Sequence, residues 1–499
     1  MASIAATEMM RHSSPKDCWV AINGKVYDMT NFAPEHPGGH NIIYAWAGKD
    51  ASDLYNEFHS ARLVEQELPA SAKLGSLDDT VTKDDGRSSM QQAATTTTHS
   101  ASEQRPPLTS IINLYDFELA FAKFGSRKSH AYISSASNDL LTLQANAAHW
   151  HKLWFRPRVL RNVSTVSTRT RLLGLDVSMP VWIAPMGMGK TGGPEAEAAL
   201  GAGAAAAGIV HCLSTPASLS VEETLASAPG HPWFFQLYVN RDRAKTEAAL
   251  AKLARHRDQV KALFVTADLP VMSKREADDR IRVTEQTVLP LPDSTGATIA
   301  ATEGRGGLAR TTGSFIDSSF TWECLPWLRR CTDLPLFVKG VQTAADARAA
   351  LEAGCAGIVV SNHGGRALDN ASSTVLVLLE LRRDCPEVFE RMDILVDGGV
   401  RRGSDVLKAF CLGARGVGVG RPFQCAISYG KEGVAHCANI LREELETAMR
   451  LCGVTDINSV WGNMAYLNTS ELDTLLPAKQ DSYPRLRSRC QSGREVCRL

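Results

Sequence analysis

The chain has 499 residues, of which 44% are hydrophobic and 22% charged, the composition of an ordinary soluble globular protein. Because 54 Lys and Arg balance 54 Asp and Glu, the charge gives no indication of a nucleic-acid partner. No apolar run approaches the roughly 20 residues of a membrane-spanning helix, and the 12 cysteines include no C-x-x-C pair. We therefore expect two to four domains with reduced thiols in a cytosol-like compartment.

Residues 8–77 form the first predicted domain, a compact segment rich in aromatic side chains. Two histidines in separate predicted helical segments, His36 and His59, stand 23 residues apart, and Pro37-Gly38-Gly39 follows the first. Two such imidazoles can hold one haem iron from both faces, and the glycines let the chain turn away from the haem edge without a Cβ clash. An incidental pair of histidines is the alternative that the pair alone leaves open.

The segments around these histidines resemble a cytochrome b5 haem domain. They are Asp-Cys-Trp-Val at 17–20, Val-Tyr-Asp-Met-Thr-x-Phe at 26–32 and Ala-Gly-x-Asp-Ala at 47–51. The resemblance implies haem b, with His36 and His59 as the two axial ligands of the iron. Since the protein would then fill both axial positions, we expect the haem to transfer electrons rather than to bind O2.

A polar segment of low complexity follows at residues 78–107. It contains too little apolar surface to fold, so we predict a flexible linker that spans roughly 30 Å root-mean-square. Residues 1–79 carry eleven Asp and Glu against six Lys and Arg, and the formal charge of −5 is able to steer a basic electron acceptor. A solvated acidic surface without a partner is the competing interpretation.

The third zone, residues 108–477, alternates short apolar strands with helical patterns, and a polar, basic tail follows at 478–499. The eight predicted strands are 181–185, 209–213, 233–238, 262–266, 336–338, 357–360, 394–396 and 416–419. Eight strands alternating with helices over ~250 residues predict a (β/α)8 TIM barrel. A doubly wound sheet is the alternative, but its glycine-rich turn is missing, because Gly201-x-Gly203 falls within a predicted helix. The long interval at 285–313 is predicted to be a lid or a mobile loop.

Glycine or polar residues follow nearly every predicted strand, at the carboxyl edge where the active sites of such barrels lie. Glycine-rich turns after the seventh and eighth strands suit a phosphate, and Lys339 after the fifth can hold negative charge on a reduced flavin ring. Flavin mononucleotide meets both demands, whereas a sugar phosphate leaves Gln236, Thr266 and Lys339 without a role. The predicted FMN-binding residues are Pro185, Met186, Gly187, Ser214, Gln236, Thr266, Lys339, Ser361, Asp397, Gly398, Gly399, Arg401, Gly420 and Arg421.

The sixth strand is followed by Ser-Asn-His-Gly-Gly-Arg at 361–366, which places a base and a cation three residues apart. His363 can take a proton from a C–H bond, and Arg366 can hold an adjacent carboxylate with two parallel hydrogen bonds. Asp268 can orient the imidazole and stabilise its charge after proton uptake. Tyr238 can bond the substrate hydroxyl, and Arg275 can stabilise negative charge in the transition state. For the motif alone, a strand-to-helix turn with a surface His and Arg is the alternative.

Five motifs of this zone resemble the FMN-dependent 2-hydroxy acid dehydrogenase and oxidase family. They are Phe-Gln-Leu-Tyr-Val at 235–239, Val-Lys-Gly-Val at 338–341, the segment at 361–366, Asp-Gly-Gly-Val-Arg-Arg-Gly at 397–403 and Gly-Arg-Pro-Phe at 420–423. The resemblance covers residues 108–475 and implies a (β/α)8 barrel, non-covalent FMN and oxidation of an L-2-hydroxy acid, lactate or a larger analogue, to the 2-oxo acid. It also implies that Tyr132 binds the substrate carboxylate, in a segment that departs from the family pattern at Ile133 and Ala136.

A haem domain ahead of such a barrel resembles the flavocytochrome members of that family, which implies electron transfer from FMN to haem b and on to cytochrome c. An oxidase that passes electrons from FMN to O2 and forms hydrogen peroxide is the alternative function, and a non-catalytic redox-sensing haem protein is a second. The resemblance also implies a homotetramer. We expect a cytoplasmic or, from Cys497-Arg498-Leu499, a peroxisomal location; family analogy adds the mitochondrial intermembrane space, although no presequence is evident.

The resemblance places Gly187 and Pro216 beside the side chain of the substrate. Lactate-specific relatives carry Ala and Leu at these positions. The residues found here therefore predict that longer or aromatic 2-hydroxy acids are accepted.

Overall fold

The computed structural model describes residues 2–36, 40–78, 104–286 and 315–479. The turn at 37–39, most of the predicted linker at 78–107, most of the loop at 285–313 and most of the tail from 478 lie outside these ranges. Within the described ranges no helix is both long and apolar enough to cross a membrane, and the ten cysteines are free thiols.

The N-terminal module combines a five-stranded sheet with four short helices. Its strands are β1 (Ala2–Ala5), β2 (Ser13–Ser14), β3 (Asp17–Ile22), β4 (Lys25–Asp28) and β5 (Lys73–Asp78), in the spatial order β1-β5-β4-β3-β2. The helices are α1 (Ala6–Met9), α2 (His40–Tyr44), α3 (Ser52–Phe58) and α4 (Leu63–Glu67). Val20, Tyr27 and Met29 form the centre of its apolar core. Because β1 pairs with β5, the sheet begins ahead of the predicted boundary at residue 8.

Three helices precede the barrel: α5 (Leu114–Phe124), α6 (Arg127–Ser134) and α7 (Leu141–His151). A capping box of Asn113 and Asp116 starts α5, and the Ser126 hydroxyl caps α6. Two small antiparallel pairs flank the barrel, β6 (Trp154–Phe155) with β17 (Leu467–Asn468), and β7 (Thr170–Leu172) with β8 (Leu175–Val177). These elements leave the barrel strands themselves uninterrupted.

Eight parallel strands close into a barrel, which confirms the predicted fold class and excludes the doubly wound sheet. They are β9 (Val181–Ile183), β10 (Val210–Ser214), β11 (Trp233–Leu237), β12 (Val260–Thr266), β13 (Leu336–Val341), β14 (Gly357–Val360), β15 (Asp393–Asp397) and β16 (Gly416–Val419). Each strand pairs with the next one along the chain, and β16 pairs with β9. The predicted strands are all present, with ends that differ by up to three residues.

Helices alternate with these strands. They are α8 (Ala196–Ala207), α9 (Val221–Ala226), α10 (Arg243–Leu253), α11 (Glu276–Gln286), α12 (Leu325–Cys331), α13 (Ala344–Glu352), α14 (Thr374–Asp384), α15 (Val388–Arg391), α16 (Gly403–Cys411), α17 (Arg421–Ala426), α18 (Gly430–Cys452) and α19 (Ser470–Asp473). Gly201 and Gly203 lie within α8, where added Cβ atoms would stand 2.1 Å from the Trp233 ring and 2.5 Å from Val434. These glycines therefore serve close helix packing rather than a nucleotide-binding turn.

Large apolar side chains fill the barrel interior. The interior cluster includes Trp182, Phe234, Phe264, Phe337, Val359 and Leu395, one from each of six strands. Because side chains two positions apart point to the same face of a strand, the residue two positions later also faces inward, nearer the carboxyl edge. Five of these six strands have a polar residue there: Gln236, Thr266, Lys339, Ser361 and Asp397. The packing of the core thus directs the polar groups into one layer.

Candidate active site

One open cleft lies at the carboxyl edge of the barrel, with an empty volume of about 1020 Å³ including the part open to solvent. Thirteen of the fourteen residues predicted to bind FMN line it. The exception, Ser361, is buried directly behind the cleft wall. The predicted substrate residues Tyr132, Tyr238, Arg275, His363 and Arg366 line the same cleft, and Asp268 lies behind His363. The structure therefore brings the two predicted sets together.

Lys339 is held by a buried network beneath the cleft. Its ammonium donates to Ser361 Oγ at 2.9 Å and lies 3.5 Å from the Asp397 carboxylate, to which Ser361 donates at 2.6 Å. Burial acts to lower the pKa of Lys339, but Asp397 and Asp268 outweigh it and raise the pKa. The lysine thus stays charged inside the barrel. It lies two residues before the end of β13, and not at the strand end as predicted, because β13 continues to Val341.

The amide of Gln236 is oriented by three neighbours. Its Oε1 accepts hydrogen bonds from Ser214 Oγ at 2.8 Å and from the backbone N–H of Thr215 at 3.2 Å. Its Nε2 donates to Thr266 Oγ1 at 2.9 Å. This pattern fixes which end of the amide is the donor, so Gln236 offers a defined polar edge to a flat ring in the cleft.

His363 stands between a carboxylate and a phenol. Its Nδ1 lies 3.0 Å from Asp268 Oδ1, and its Nε2 lies 3.3 Å from the Tyr238 hydroxyl. Burial is the largest influence on His363 and lowers the pKa of its imidazole, although Asp268 acts in the opposite direction. For Asp268, burial is outweighed by His363 and Lys339, which lower the pKa of its carboxyl. A neutral imidazole next to an ionised carboxylate is the arrangement that a general base requires.

The turn that carries His363 is strained. Its φ of +60° is unusual for a residue with a Cβ, and Gly364 and Gly365 also have positive φ. Non-glycine residues in this region cost of order 1 kcal/mol or more and persist where the surroundings enforce them. Here the Ser361 hydroxyl accepts the backbone N–H of His363 at 3.1 Å, and the Asn362 side chain accepts that of Gly365 at 3.1 Å.

Four guanidinium groups, those of Arg275, Arg366, Arg401 and Arg421, converge on the cleft. Burial, followed by the proximity of Arg366, lowers the pKa of Arg275 and that of Arg421 to about 9. Arg401 pairs with Glu118 at 2.8 Å, and Arg275 Nε has no hydrogen-bond partner among the described residues. Like charges crowded in this way are stabilised by anions. A carboxylate and a phosphate, the anionic groups of a hydroxy acid and of FMN, therefore fit these residues.

Glycine backbone lines the cleft at two turns, Gly398-Gly399 and Gly420. Gly398 and Gly399 have φ of +102° and +78°, and a Cβ at Gly399 would stand 2.3 Å from the carbonyl oxygen of Asn146. A Cβ at Gly420 would have no atom nearer than Met186 Sδ at 3.7 Å. With Arg421 next in the chain, these turns fit a phosphate monoester.

His36 and His59 face each other in the N-terminal module. Their ring centroids lie 6.1 Å apart, with the planes at 77°. Two imidazole nitrogens bound to one metal at about 2 Å each place their ring centroids roughly 6 Å apart, so the spacing fits a single iron between them. Burial, His36 and Lys190 lower the pKa of His59 to about 4, which leaves the neutral imidazole that a metal binds. The pair therefore fits the predicted haem.

The sequence reasoning missed the contacts that support the turns of the cleft from behind, because they are made by α7, a helix before the barrel. The amides of Asn146 and Asn362 bond to each other at 2.8 and 2.9 Å, and Trp150 Nε1 donates to the carbonyl of Gly398 at 2.9 Å. Thr142, Asn146 and Trp150 form the buried face of α7 at a spacing of four residues. An asparagine on the buried face of a helix is the signal that could have found this contact.

Comparisons with known proteins agree with this geometry. A family model described as FMN-dependent dehydrogenase matches residues 122–467, and one described as cytochrome b5-like heme/steroid binding domain matches residues 5–78. The L-lactate dehydrogenase (cytochrome) of Saccharomyces cerevisiae is 37% identical over 484 residues, which cover 95% of this chain and 81% of that protein. Glycolate oxidase 3 of Oryza sativa subsp. indica is 39% identical over 359 residues, 71% of this chain and 95% of that protein. The solved structure of a double mutant of flavocytochrome b2 with pyruvate bound is similar at a TM-score of 0.66 and 36% identity, over 79% of this chain and 95% of that chain.

Proposed function

Because the chain belongs to the FMN-dependent dehydrogenase family and carries a cytochrome b5-like haem domain ahead of it, we propose that it oxidises an L-2-hydroxy acid with an apolar side chain and delivers the electrons to cytochrome c. The observation that carries the proposal is the His363–Asp268 pair, which shares one cleft with four arginines. When bound, FMN accepts the two electrons of the oxidised C–H bond, and haem b carries them onward one at a time.

Binding of the substrate falls to the residues at the outer side of the cleft. Arg366 lies with its guanidinium carbon 5.0 Å from the centre of the Tyr132 ring, so both can reach one carboxylate. The Tyr238 hydroxyl accepts or donates a hydrogen bond next to His363 Nε2, where the hydroxyl of the substrate would lie. Arg275, only 4% exposed, supplies positive charge to the same cleft.

The chemical step falls to His363. Its Nε2 takes the proton from the carbon that bears the hydroxyl, and the Asp268 carboxylate stabilises the imidazolium that results. Lys339 offers a fixed positive charge at the depth of the cleft where the predicted cofactor residues Gln236 and Thr266 lie. These assignments of individual residues are proposals that the variants below test.

The part of the cleft nearest the substrate side chain is apolar. Leu269, Met272, Ile316 and Pro216 line it. A Cβ on Gly187 would stand 2.8 Å from Pro216 Cγ, so the proline ring occupies the space that the glycine leaves. We therefore expect Gly187 and Pro216 to set the size of the substrate jointly, with the proline ring limiting the space that the glycine frees. From the apolar lining of Leu269, Met272 and Ile316 we propose apolar acids larger than lactate as good substrates.

The experiment mixes the protein, loaded with FMN and haem, with a panel of acids under anaerobic conditions. Lactate, 2-hydroxy-4-methylpentanoate and mandelate are compared by the rate at which the flavin absorbance bleaches and the haem absorbance changes. Flavin reduction by none of these acids would refute the proposed reaction. A strong preference for lactate would refute the proposed substrate size.

Direct reaction with O2 is the second candidate, favoured by the glycolate oxidase match over 71% of the chain. The His59→Ala variant separates the two. We expect it to lose cytochrome c reduction while flavin reduction stays near the parent rate, because the cleft is unchanged. If peroxide yield accounts for all turnover in both proteins, the oxidase is the correct assignment.

The homotetramer and the cytoplasmic or peroxisomal location also stay proposals. Size-exclusion chromatography with light scattering tests the homotetramer, and localisation of the full chain in cells tests the compartment.

A further inference from the structure

Charges of opposite sign form one part of the contact between the haem module and the barrel domain. Four lysines outside the module reach it: Lys128, Lys190, Lys245 and Lys252. Three of them pair with glutamates of the module, Lys128 with Glu57 at 3.7 Å, Lys252 with Glu67 at 3.1 Å, and Lys245 with Glu35. Phe58 of the module packs into the apolar core of the barrel domain, beneath the ammonium of Lys128 at 4.7 Å.

Lys190 differs from the other three lysines because its partners are backbone carbonyls at the proposed iron ligand. Its ammonium donates to the carbonyl oxygen of Asn56 at 3.0 Å and to that of His59. The next residue, Ser60, is buried; its backbone N–H donates to the carbonyl of Ser218 at 3.0 Å, and its hydroxyl donates to the Glu223 carboxylate at 2.8 Å. The chain around His59 is thus attached to the barrel on both sides of the ligand.

One buried carboxylate fixes the barrel side of this attachment. Glu197, which is 0% exposed, accepts the backbone N–H groups of Gly189 at 2.8 Å, Ser218 at 2.9 Å and Leu219 at 3.2 Å. Gly189 precedes Lys190 in the loop after β9, and Ser218 lies in the loop after β10. The same two loops carry Gly187 and Pro216, which line the cleft. Glu197 therefore ties the two docking loops to each other and to the wall of the cleft.

We infer that Lys190 is a positioning residue for electron transfer, which holds the His59 side of the haem module against the loop beside the flavin cleft. With both cofactors bound, the haem would take one electron from the reduced flavin and pass it to the external acceptor before it takes the second, so that two one-electron transfers would reoxidise the flavin and no bond would form or break. The inference rests on the proposed function, because it needs both cofactors. Lys190 takes no part in proton transfer or substrate binding, because the Lys190 side chain does not line the cleft.

Lys190→Met in the full-length protein with both cofactors tests this inference. It keeps most of the apolar stem and removes the ammonium. We expect flavin reduction by the hydroxy acid to keep the parent rate, and haem reduction to slow by about tenfold, which corresponds to 1.4 kcal/mol in the docking equilibrium. We also expect faster hydrogen–deuterium exchange in the peptide spanning residues 52–62 of the resting protein. Stopped-flow absorbance and mass spectrometry provide the two measurements.

Lys252→Met is the matched control, since it removes a lysine of the same contact whose ion pair with Glu67 is about half exposed. Such pairs contribute little, so both measurements should match the parent. Lys190→Arg, which keeps a charged donor, should recover most of the haem reduction rate. Haem reduction at the parent rate in Lys190→Met, or an equal slowing of flavin reduction, would overturn the inference. Absence of flavin reduction in the parent itself would instead overturn the proposed function.

Discussion

Replacement of Asp268 by Asn tests whether charge on His363 develops in the rate-determining step. The Asp268 carboxylate is fully buried and lies 3.0 Å from His363 Nδ1. With the charge centres about 4 Å apart and an effective dielectric constant near 20, the attraction between imidazolium and carboxylate is about 4 kcal/mol. Because this attraction arises only once the imidazole takes the proton, it lowers the barrier more than it strengthens binding. We therefore expect flavin reduction to slow by about 10³-fold, with a small change in KM.

The assay is anaerobic stopped-flow reduction of the flavin over a range of substrate concentrations. Asp384→Asn is the control, since it removes a carboxylate that pairs with Arg383 at the end of α14, and it should keep the parent rate. FMN content and circular dichroism must match the parent in both variants. A loss of less than about tenfold in Asp268→Asn would refute the reasoning, because an uncharged partner would then suffice for His363.

Two further predictions concern the core and the substrate. His211 in β10 is fully buried without a hydrogen-bond partner among the described residues, and burial lowers its pKa to about 3. Below about pH 6.5 the His211 imidazole takes up a proton in the unfolded chain but stays neutral in the folded chain. Protonation therefore favours unfolding, and the free energy of unfolding, unaffected by His211 above pH 6.5, is about 2 kcal/mol lower at pH 5. His211→Leu should lack that loss when urea midpoints at pH 7 and pH 5 are compared, and equal losses in both proteins would contradict it. Pro216→Ala removes ring carbons beside Gly187, so the ratio of kcat/KM for mandelate to that for lactate should rise about tenfold; an unchanged ratio would show that other residues set the size.

The layer of polar groups at the carboxyl edge could be predicted because the strands follow a simple register. Phe264 faces the interior, so Thr266, two positions later at the end of β12, faces the same way and lines the cleft. The strand ends were less predictable, as Lys339 shows, since β13 extends beyond the apolar run that marked it. Strand length depends on pairing with neighbouring strands, which local composition does not contain.

Contacts across long distances in the chain could not be predicted from local patterns. Asn146 and Asn362 are 216 residues apart, and Ser60 and Glu223 are 163 apart. Each residue is unremarkable within its own segment, and its role exists only after the helices and the N-terminal module have docked. Tyr132 was assigned only through family resemblance, although the structure places it in the cleft. The polar groups at the carboxyl ends of the barrel strands could therefore be predicted from the sequence, whereas the residues that connect the barrel to the preceding helices and to the N-terminal module could not.

Some of the acidic side chains of the haem module pair with the barrel domain, and others stay exposed to solvent. Glu35, Glu57 and Glu67 pair with lysines of the barrel domain, so part of the formal charge of −5 over residues 1–79 is neutralised within the chain. The field offered to a basic cytochrome is weaker than the sequence charge indicates. Asp50 and Asp53 are exposed, and among the described residues neither forms an ion pair with the barrel; Asp50 accepts the backbone N–H of Ser52 within the module. A basic acceptor meets these two carboxylates with the module docked, whereas the three glutamates become available to it only when the module leaves Lys128, Lys245 and Lys252.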